Sequence, residues 1–302
     1  MKLVYCSDPF ESRKPDEAYA SEASAAQVLG IEYVLIDHDA LTMEHDAVKA
    51  VKRVKEQPSP VLGLYRGWMM RPEEYRQLYD ALQARGVVLL NDPSAYTYCH
   101  YLPASYSVIE PYTPKSVWLH VDSDFSIDRV IRLLEPFGSS PIIVKDFVKS
   151  QKHYWIEACY IPSASDGETV ERVVNRFLEL QGDGLNDGLV FRAFVEFEPL
   201  VIHSKSGMPL TKEFRVFWFD GDPLYFTQYW DEGDYAGEGP PIEHFRQVGQ
   251  QVRSRFFTMD VAKCVTGEWM IVELGDGQVA GLPEKADPLE FYKALQSRWP
   301  TM

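Results

Sequence analysis

FTMDVAKCVTGEWMIVELGDGQVAGLP, residues 257–283, holds two apolar stretches, 257–263 and 268–274, separated by Thr266 and Gly267. Stretches of this length, rich in Val, Ile, Phe, Thr and Trp and broken by a turn residue, predict two strands joined by a turn. Each strand carries an acid, Asp260 in the first and Glu273 in the second. If the strands pair around Gly267, the two carboxylates approach one another at one end of the hairpin. Converging carboxylates, with phosphate oxygens as further ligands, are how hexacoordinate Mg²⁺ is bound. Two solvated edge-strand acids would look the same on these strands alone. The following ELGDG, with two acids and two glycines, favours the metal.

Working back from this hairpin, residues 213–225 (EFRVFWFDGDPLY) read as a second hairpin, turning through Asp220, Gly221 and Asp222. Arg215 lies among aromatics and Val there, and a guanidinium on an apolar strand needs an anion. Glu213, Glu196 and a bound phosphate are the candidates. Residues 189–198 (LVFRAFVEFE) read as one long strand, with Phe191, Arg192, Phe194, Val195 and Glu196 placed to line a base and reach ribose hydroxyls; a plain core strand with exposed ends has the same pattern. Residues 141–153 (PIIVKDFVKSQKH) set Lys145 at the end of a buried strand, before a loop of Lys149, Ser150, Lys152 and His153. Point charges and loop donors there suit phosphate, although an exposed basic turn has the same composition.

The first 95 residues alternate strands and helices. Strands are expected at 2–6, 31–36, 60–65 and 87–90, and helices at 16–29 and 72–85, with Gly30 and Gly86 as stops. That order predicts a parallel, doubly wound lobe. Arg66, beyond the third strand and beside Gly67, and Arg71 are placed to bind an acceptor carboxylate at the strand ends; surface arginines beside a helix start are the plainer explanation. Residues 43–55 are loop or helix, and 94–108 a linking helix or turn. Further strands are expected at 117–120, helices at 126–135, 169–180, 242–256 and 287–298. No internal repeat or low-complexity segment is present.

Taken in order, these segments resemble the ATP-grasp superfamily from about Asn91 to Pro283, with the first lobe similar to its usual N-terminal domain. YRG at 65–67 and ELGDGQVAGLP resemble a divergent branch, the R2K clade. The resemblance implies an α/β (α+β) ATP-grasp fold: an N-terminal α/β lobe over 1–95, then 96–302 as two α+β lobes clasping a nucleotide, hinged near 189–198. It implies ATP and Mg²⁺, with Lys145 and Arg215 on the phosphates and Asp260 and Glu273 on the metal. Phe191 to Val195 would meet adenine through the backbone, and Glu196 or Glu198 the ribose. The sequence departs from the family in three places. His100 stands where a further Lys is usual, Lys149 to His153 lack the glycines of the phosphate loop, and the Glu-x-Asn metal motif reads Glu273-Leu274-Gly275, leaving Asp276 as the substitute ligand. The implied activity is a ligase that phosphorylates a small-molecule or peptide carboxylate and joins it to an amine or thiol, releasing ADP and phosphate. A phosphotransferase and a non-catalytic nucleotide-binding protein remain as alternatives.

Composition fits that class. Among 302 residues, 45 acids against 30 basic residues give a net charge of -15, which repels polyanions and argues against non-specific nucleic-acid binding. The four cysteines, Cys6, Cys99, Cys159 and Cys264, form no CxxC pair, which suits a reducing cytoplasm rather than a zinc site. No stretch approaches the roughly 20 apolar residues of a membrane span, and the N-terminal apolar run is too short for a signal peptide. Oligomeric state is not encoded in any pattern found.

Overall fold

The computed structural model describes residues 1–204 and 209–300. Its first lobe follows the alternation predicted from sequence. The elements are β1 (Lys2–Cys6), α1 (Ala20–Val28), β2 (Glu32–Ile36), short α2 (His38–Thr42) and α3 (Ala47–Ala50), β3 (Val61–Arg66), α4 (Pro72–Gln83) and β4 (Val87–Leu89). All four strands are parallel, in the order β2-β1-β3-β4. Helix α4 starts at Pro72, where the missing N–H costs nothing, and the Glu74 side chain accepts from the Arg71 backbone N–H at 2.8 Å. Tyr75, Leu78 and Leu82, spaced three and four apart, form its buried stripe. Trimming Leu78 to Ala would cost about 2–5 kcal/mol.

Two linking helices, α5 (Pro93–His100) and α6 (Leu102–Ile109), lead to the central lobe. There β5 (Ser116–His120), α7 (Ile127–Leu134), β6 (Ile142–Asp146), α8 (Trp155–Ala158), β7 (Tyr160–Ile161), α9 (Gly167–Gln181) and β8 (Gly188–Ala193) build an antiparallel sheet in the order β5-β8-β6-β7. The long strand expected over 189–198 stops at Ala193. Its neighbours end there: Ile142 on β6 pairs with Ala193, and Ser116 on β5 with Arg192. Beyond that point the backbone leaves the central sheet, and Phe197 bridges to Cys264.

The last part contains β9 (Pro199–Ile202), β10 (Pro209–Thr211), β11 (Glu213–Phe219), β12 (Asp222–Gln228), α10 (Ile242–Gly249), β13 (Phe256–Lys263), β14 (Trp269–Asp276) and α11 (Pro288–Arg298). The C-terminal sheet is antiparallel, β12-β11-β13-β14. Both predicted hairpins are present; Asp220 and Gly221 take positive φ, 49° and 82°, in the first turn, and Gly267 takes 94° in the second. Helix α10 is shorter than the expected 242–256. It ends at Gly249, where a Cβ would meet the Trp218 ring.

The C-terminal sheet has two different faces. Phe214, Val216, Trp218, Phe257, Met259 and Val261 fill one core with α10. Phe217, Phe219 and Phe256 turn the other way, into a core shared with Leu3, Tyr5 and Leu64 of the first lobe and Phe291 and Tyr292 of α11. By strand alternation, Glu213, Arg215, Thr258 and Asp260 lie on this second face.

Candidate active site

Strand register builds the site. Arg215 on β11 faces Asp260 on β13, and Asp260 faces Glu273 on β14, so three charged side chains stand in a row across three strands. The Arg215 guanidinium donates both arms to Asp260, at 2.9 and 2.7 Å. It lies over the Tyr229 ring, 4.8 Å from its centroid, and donates to the Gly281 carbonyl at 3.1 Å. The anion that Arg215 required is therefore Asp260, rather than Glu213 or Glu196. Glu213, two residues before Arg215 on the same face, is buried. Burial and then the neighbouring Asp260 push its carboxyl up to about 8, against the pull of Lys152.

The central lobe supplies the opposing cations. Lys145, near the end of β6, is buried, and its Nζ lies 3.6 Å from Glu273 Oε2. Burial lowers the Lys145 pKa, and the Glu273 charge resists that shift. Lys152 is exposed, and the charges of Glu213, Glu273 and Asp260 outweigh desolvation and raise its pKa. For Glu273 burial is likewise outweighed, by Lys145, Lys152, Arg215 and Arg192, and its pKa is lowered. Arg192 is buried on β8. It donates from Nη1 to the Val272 carbonyl at 2.7 Å and from Nη2 to Thr113 Oγ1 at 2.8 Å, while its Nε is without a partner. Burial lowers Arg192 to about 10.

His100 closes the back of this group. Its ring stacks on Tyr96 at 5.0 Å and 16°, and burial pushes its pKa down to about 4, so the ring is neutral at pH 7. His100, Ser105, Lys145, Arg192 and Glu273 line one small cavity. The buried Ser105 hydroxyl also has no hydrogen-bond partner. The structure thus gathers residues separated by up to 173 positions in sequence, such as His100 and Glu273.

The basic loop is held by a residue that the sequence analysis passed over. Asp146 Oδ1 accepts from the backbone N–H groups of Val148 (2.7 Å) and Lys149, and Oδ2 from Gln181 Nε2 and Asn186 Nδ2, each at 2.8 Å. An Asp accepting N–H groups two and three residues ahead fixes a turn, so this loop keeps its shape without glycine. The signal was the Asp directly after Lys145. Lys149 and His153 are exposed on the same loop.

In the hinge segment Phe191 is fully buried in the central core. Phe194 instead packs against Tyr160 at 5.1 Å and Trp155 at 6.0 Å. Val195 is half-buried and Glu196 exposed, whereas Glu198 is taken by Lys212 at 2.7 Å and Lys263 at 3.4 Å.

Three expected site residues do not join the group. Arg66 is fully buried: Nε and Nη2 bind Glu22 at 2.8 and 2.7 Å, and Nη1 donates to the carbonyls of Gly277 and Ala280. It is a clamp between the first lobe and the 277–280 segment, with no face open to an acceptor. Gly67 is required by the Tyr65 hydroxyl and Cys6 sulfur, which occupy the space of a Cβ, rather than by a ligand. Arg71 is exposed and donates to the Asp183 carbonyl. Asp276 is fully buried and accepts from Asn91 Nδ2 at 2.7 Å and Gln278 N at 2.9 Å, three register steps from the Asp260–Glu273 pair. Among the described residues, the one set of three potential metal-ligating groups within 4.8 Å is His203, Asp231 and Glu232, not Asp260, Glu273 and Asp276.

The ATP-grasp domain of R2K clade family 3 matches residues 136–295. Comparison with curated proteins gave no match. Among solved structures, the chain is similar to the D-cycloserine synthetase DcsG, at 13% identity and TM-score 0.60, with 99% of each chain covered. It is also similar to D-alanine–D-alanine ligase from Bacillus anthracis complexed with ATP, at 12% identity and TM-score 0.58, covering 98% of this chain and 95% of that one. The ATP-grasp ligase PsnB, complexed with precursor peptide and AMPPNP, gives 12% identity and TM-score 0.57 over 98% and 96%. At such identities the likeness shows the fold.

Proposed function

The chain belongs to the R2K clade of the ATP-grasp family, and from that premise we infer that it binds Mg-ATP between its central and C-terminal sheets and activates a carboxylate for amide formation. The observation that carries this reading is the meeting of Lys145, Arg192 and His100 from one side with Glu273, Asp260 and Arg215 from the other. Buried cations without a full set of anions favour a polyanionic ligand. Arg192, with an orphaned Nε, and Lys145, whose nearest acid is 3.6 Å away, are such cations.

Asp260 and Glu273 offer hard carboxylate oxygens, the donor type that Mg²⁺ prefers, and would hold it. When bound, the ion neutralises charge on the phosphates. Lys145 and Arg215 orient the γ-phosphoryl group. The Pγ–O bond to ADP breaks as a bond from phosphorus to a substrate carboxylate oxygen forms. An amine nitrogen then attacks the acyl carbon, phosphate leaves, and the nitrogen loses a proton. Catalysis on this reading is positioning and charge neutralisation, with no protein nucleophile. Family membership and ligase neighbours support the enzyme class; PsnB with its precursor peptide and the two small-molecule ligases make both peptide and small-molecule substrates worth testing. The first lobe, with Arg71 at its rim, is the part we assign to acceptor choice. No helix among the described residues is long and apolar enough to cross a membrane.

The test is an ADP- and phosphate-release screen across amino acids and short peptides, with mass spectrometry of products. An amide-linked product with ADP and phosphate supports the ligase. A stable phosphorylated product identifies a phosphotransferase. Tight Mg-ATP binding without turnover of any substrate would rule out both.

A further inference from the structure

Thr258 lies on β13 two residues before Asp260, on the same face of the sheet. Its register partner on β14 is Gly275, which lies two residues after Glu273. Gly275 is not at positive φ, so its backbone does not call for glycine. Space does: a Cβ on Gly275 would stand 2.7 Å from Thr258 Oγ1. The hydroxyl therefore fills the place that a side chain at 275 would occupy, beside the Asp260–Glu273 pair.

Thr258 is 1% exposed, and its hydroxyl makes no hydrogen bond to any described residue. The oxygen is not wholly enclosed, so a ligand entering beside it can supply the partner that the protein does not. Its apolar neighbour Phe217, opposite on β11, offers none. The polar neighbours along both strands are carboxylates, and a group that two carboxylates and a hydroxyl oxygen can share is a hard cation with oxygen ligands.

We propose that Thr258 Oγ1 is the third protein oxygen of the cation site, in the space left by Gly275. Asp276, three register steps away and saturated by Asn91 and Gln278, is then not a ligand. The inference rests on the Mg-ATP reading above. It also accounts for the glycine in the Glu273-Leu274-Gly275 sequence: a side chain at 275 and a hydroxyl at 258 exclude one another.

The test is calorimetric titration of ADP into the full chain at a series of Mg²⁺ concentrations, with melting curves to confirm folding. T258V keeps the shape and removes the oxygen; it should need about tenfold more Mg²⁺ for the same ADP affinity. T258S should behave as wild type. The double variant T258A/G275N makes room for an amide oxygen from the other strand and should recover most of the loss, while T258A alone should not. T258V or T258A with an unchanged Mg²⁺ requirement overturns the proposal and leaves the nucleotide site standing. Wild-type protein whose ADP binding ignores Mg²⁺ overturns both.

Discussion

Arg66 and Glu22 form a charge pair inside the seam between lobes, reinforced by Tyr292, whose hydroxyl donates to Glu22 at 2.6 Å. Breaking a buried pair from one side strands the other charge, so Arg66→Ala should lower stability by about 3–5 kcal/mol. Denaturant melts would show this, and nucleotide affinity measured on the folded fraction should stay unchanged. A stable Arg66→Ala protein that loses acceptor affinity would return Arg66 to the substrate site. Lys145→Ala should act in the opposite way: a modest change in melting, but nucleotide affinity reduced at least tenfold, about 1.4 kcal/mol. His100 adds a pH dependence. Its folded pKa, near 4, is below the ordinary 6.5, so the unfolded chain takes up the proton first. The stability held by the neutral ring is fully present above 6.5 and is lost as pH falls from 6.5 through 4, by up to about 3 kcal/mol. A His100→Phe variant should flatten the melting-temperature profile across that window; an identical slope would show that other groups carry it.

The loop after β6 is the element on which the phosphate reading depends most. One end is fixed by Asp146 and the other by an aromatic stack, Trp155 on Tyr160 at 5.5 Å and 16°, with Phe194 against both. Since Trp155 is 37% exposed, its removal costs little core but releases the loop that carries Lys149 and Lys152. Trp155→Ala should therefore speed amide hydrogen exchange over 147–158 and weaken nucleotide binding several-fold, with little change in global melting; unchanged exchange would mean that Asp146 suffices alone. The element pattern was largely legible in sequence, because alternation, Gly stops and turn chemistry are local. Lys145, Arg215, Asp260 and Glu273 were legible for the same reason: each is a charge inside an apolar strand, and such a charge demands a partner. Arg66 and Asp276 meet that description too. What separates them is where the partner lies: Glu22 for one and Asn91 for the other stand outside the group formed by Lys145, Arg215, Asp260 and Glu273. Thr258 gave no signal, since a Thr in a strand is ordinary until its neighbour is known to be Gly275.

Across the whole molecule, the first lobe is not closed by its own residues. Its sheet presents Leu3, Tyr5 and Leu64 to a core completed by Phe217, Phe219 and Phe256 of the C-terminal sheet and by Phe291, Tyr292 and Leu295 of α11. Buried polar bonds run along the same seam: Asn91 to Asp276 and to the Phe256 carbonyl, Gln278 Nε2 to the Tyr75 hydroxyl, and Tyr5 to Tyr292. The central lobe joins these parts through a separate core, in which Phe147 and Val190 pack with Tyr101, Leu102 and Tyr106 of the linking helices and with the C-terminal sheet, and through the Lys145–Glu273 pair and the Arg71 contact to the Asp183 carbonyl. Because they share the core along the seam, the first lobe and the C-terminal sheet should unfold as one unit. Removing residues 287–302 takes away three large buried side chains, each worth about 1.5–3 kcal/mol in burial alone, and the Tyr292 bond that completes the Arg66–Glu22 pair. That sum approaches the roughly 5–15 kcal/mol stability of a typical domain. The truncated chain should accordingly lose near-ultraviolet circular dichroism and become protease-sensitive in the first 95 residues, far away in sequence from the cut. A truncated chain whose first lobe resists protease as wild type does would show that this lobe is an independent folding unit and that the shared core adds nothing to it.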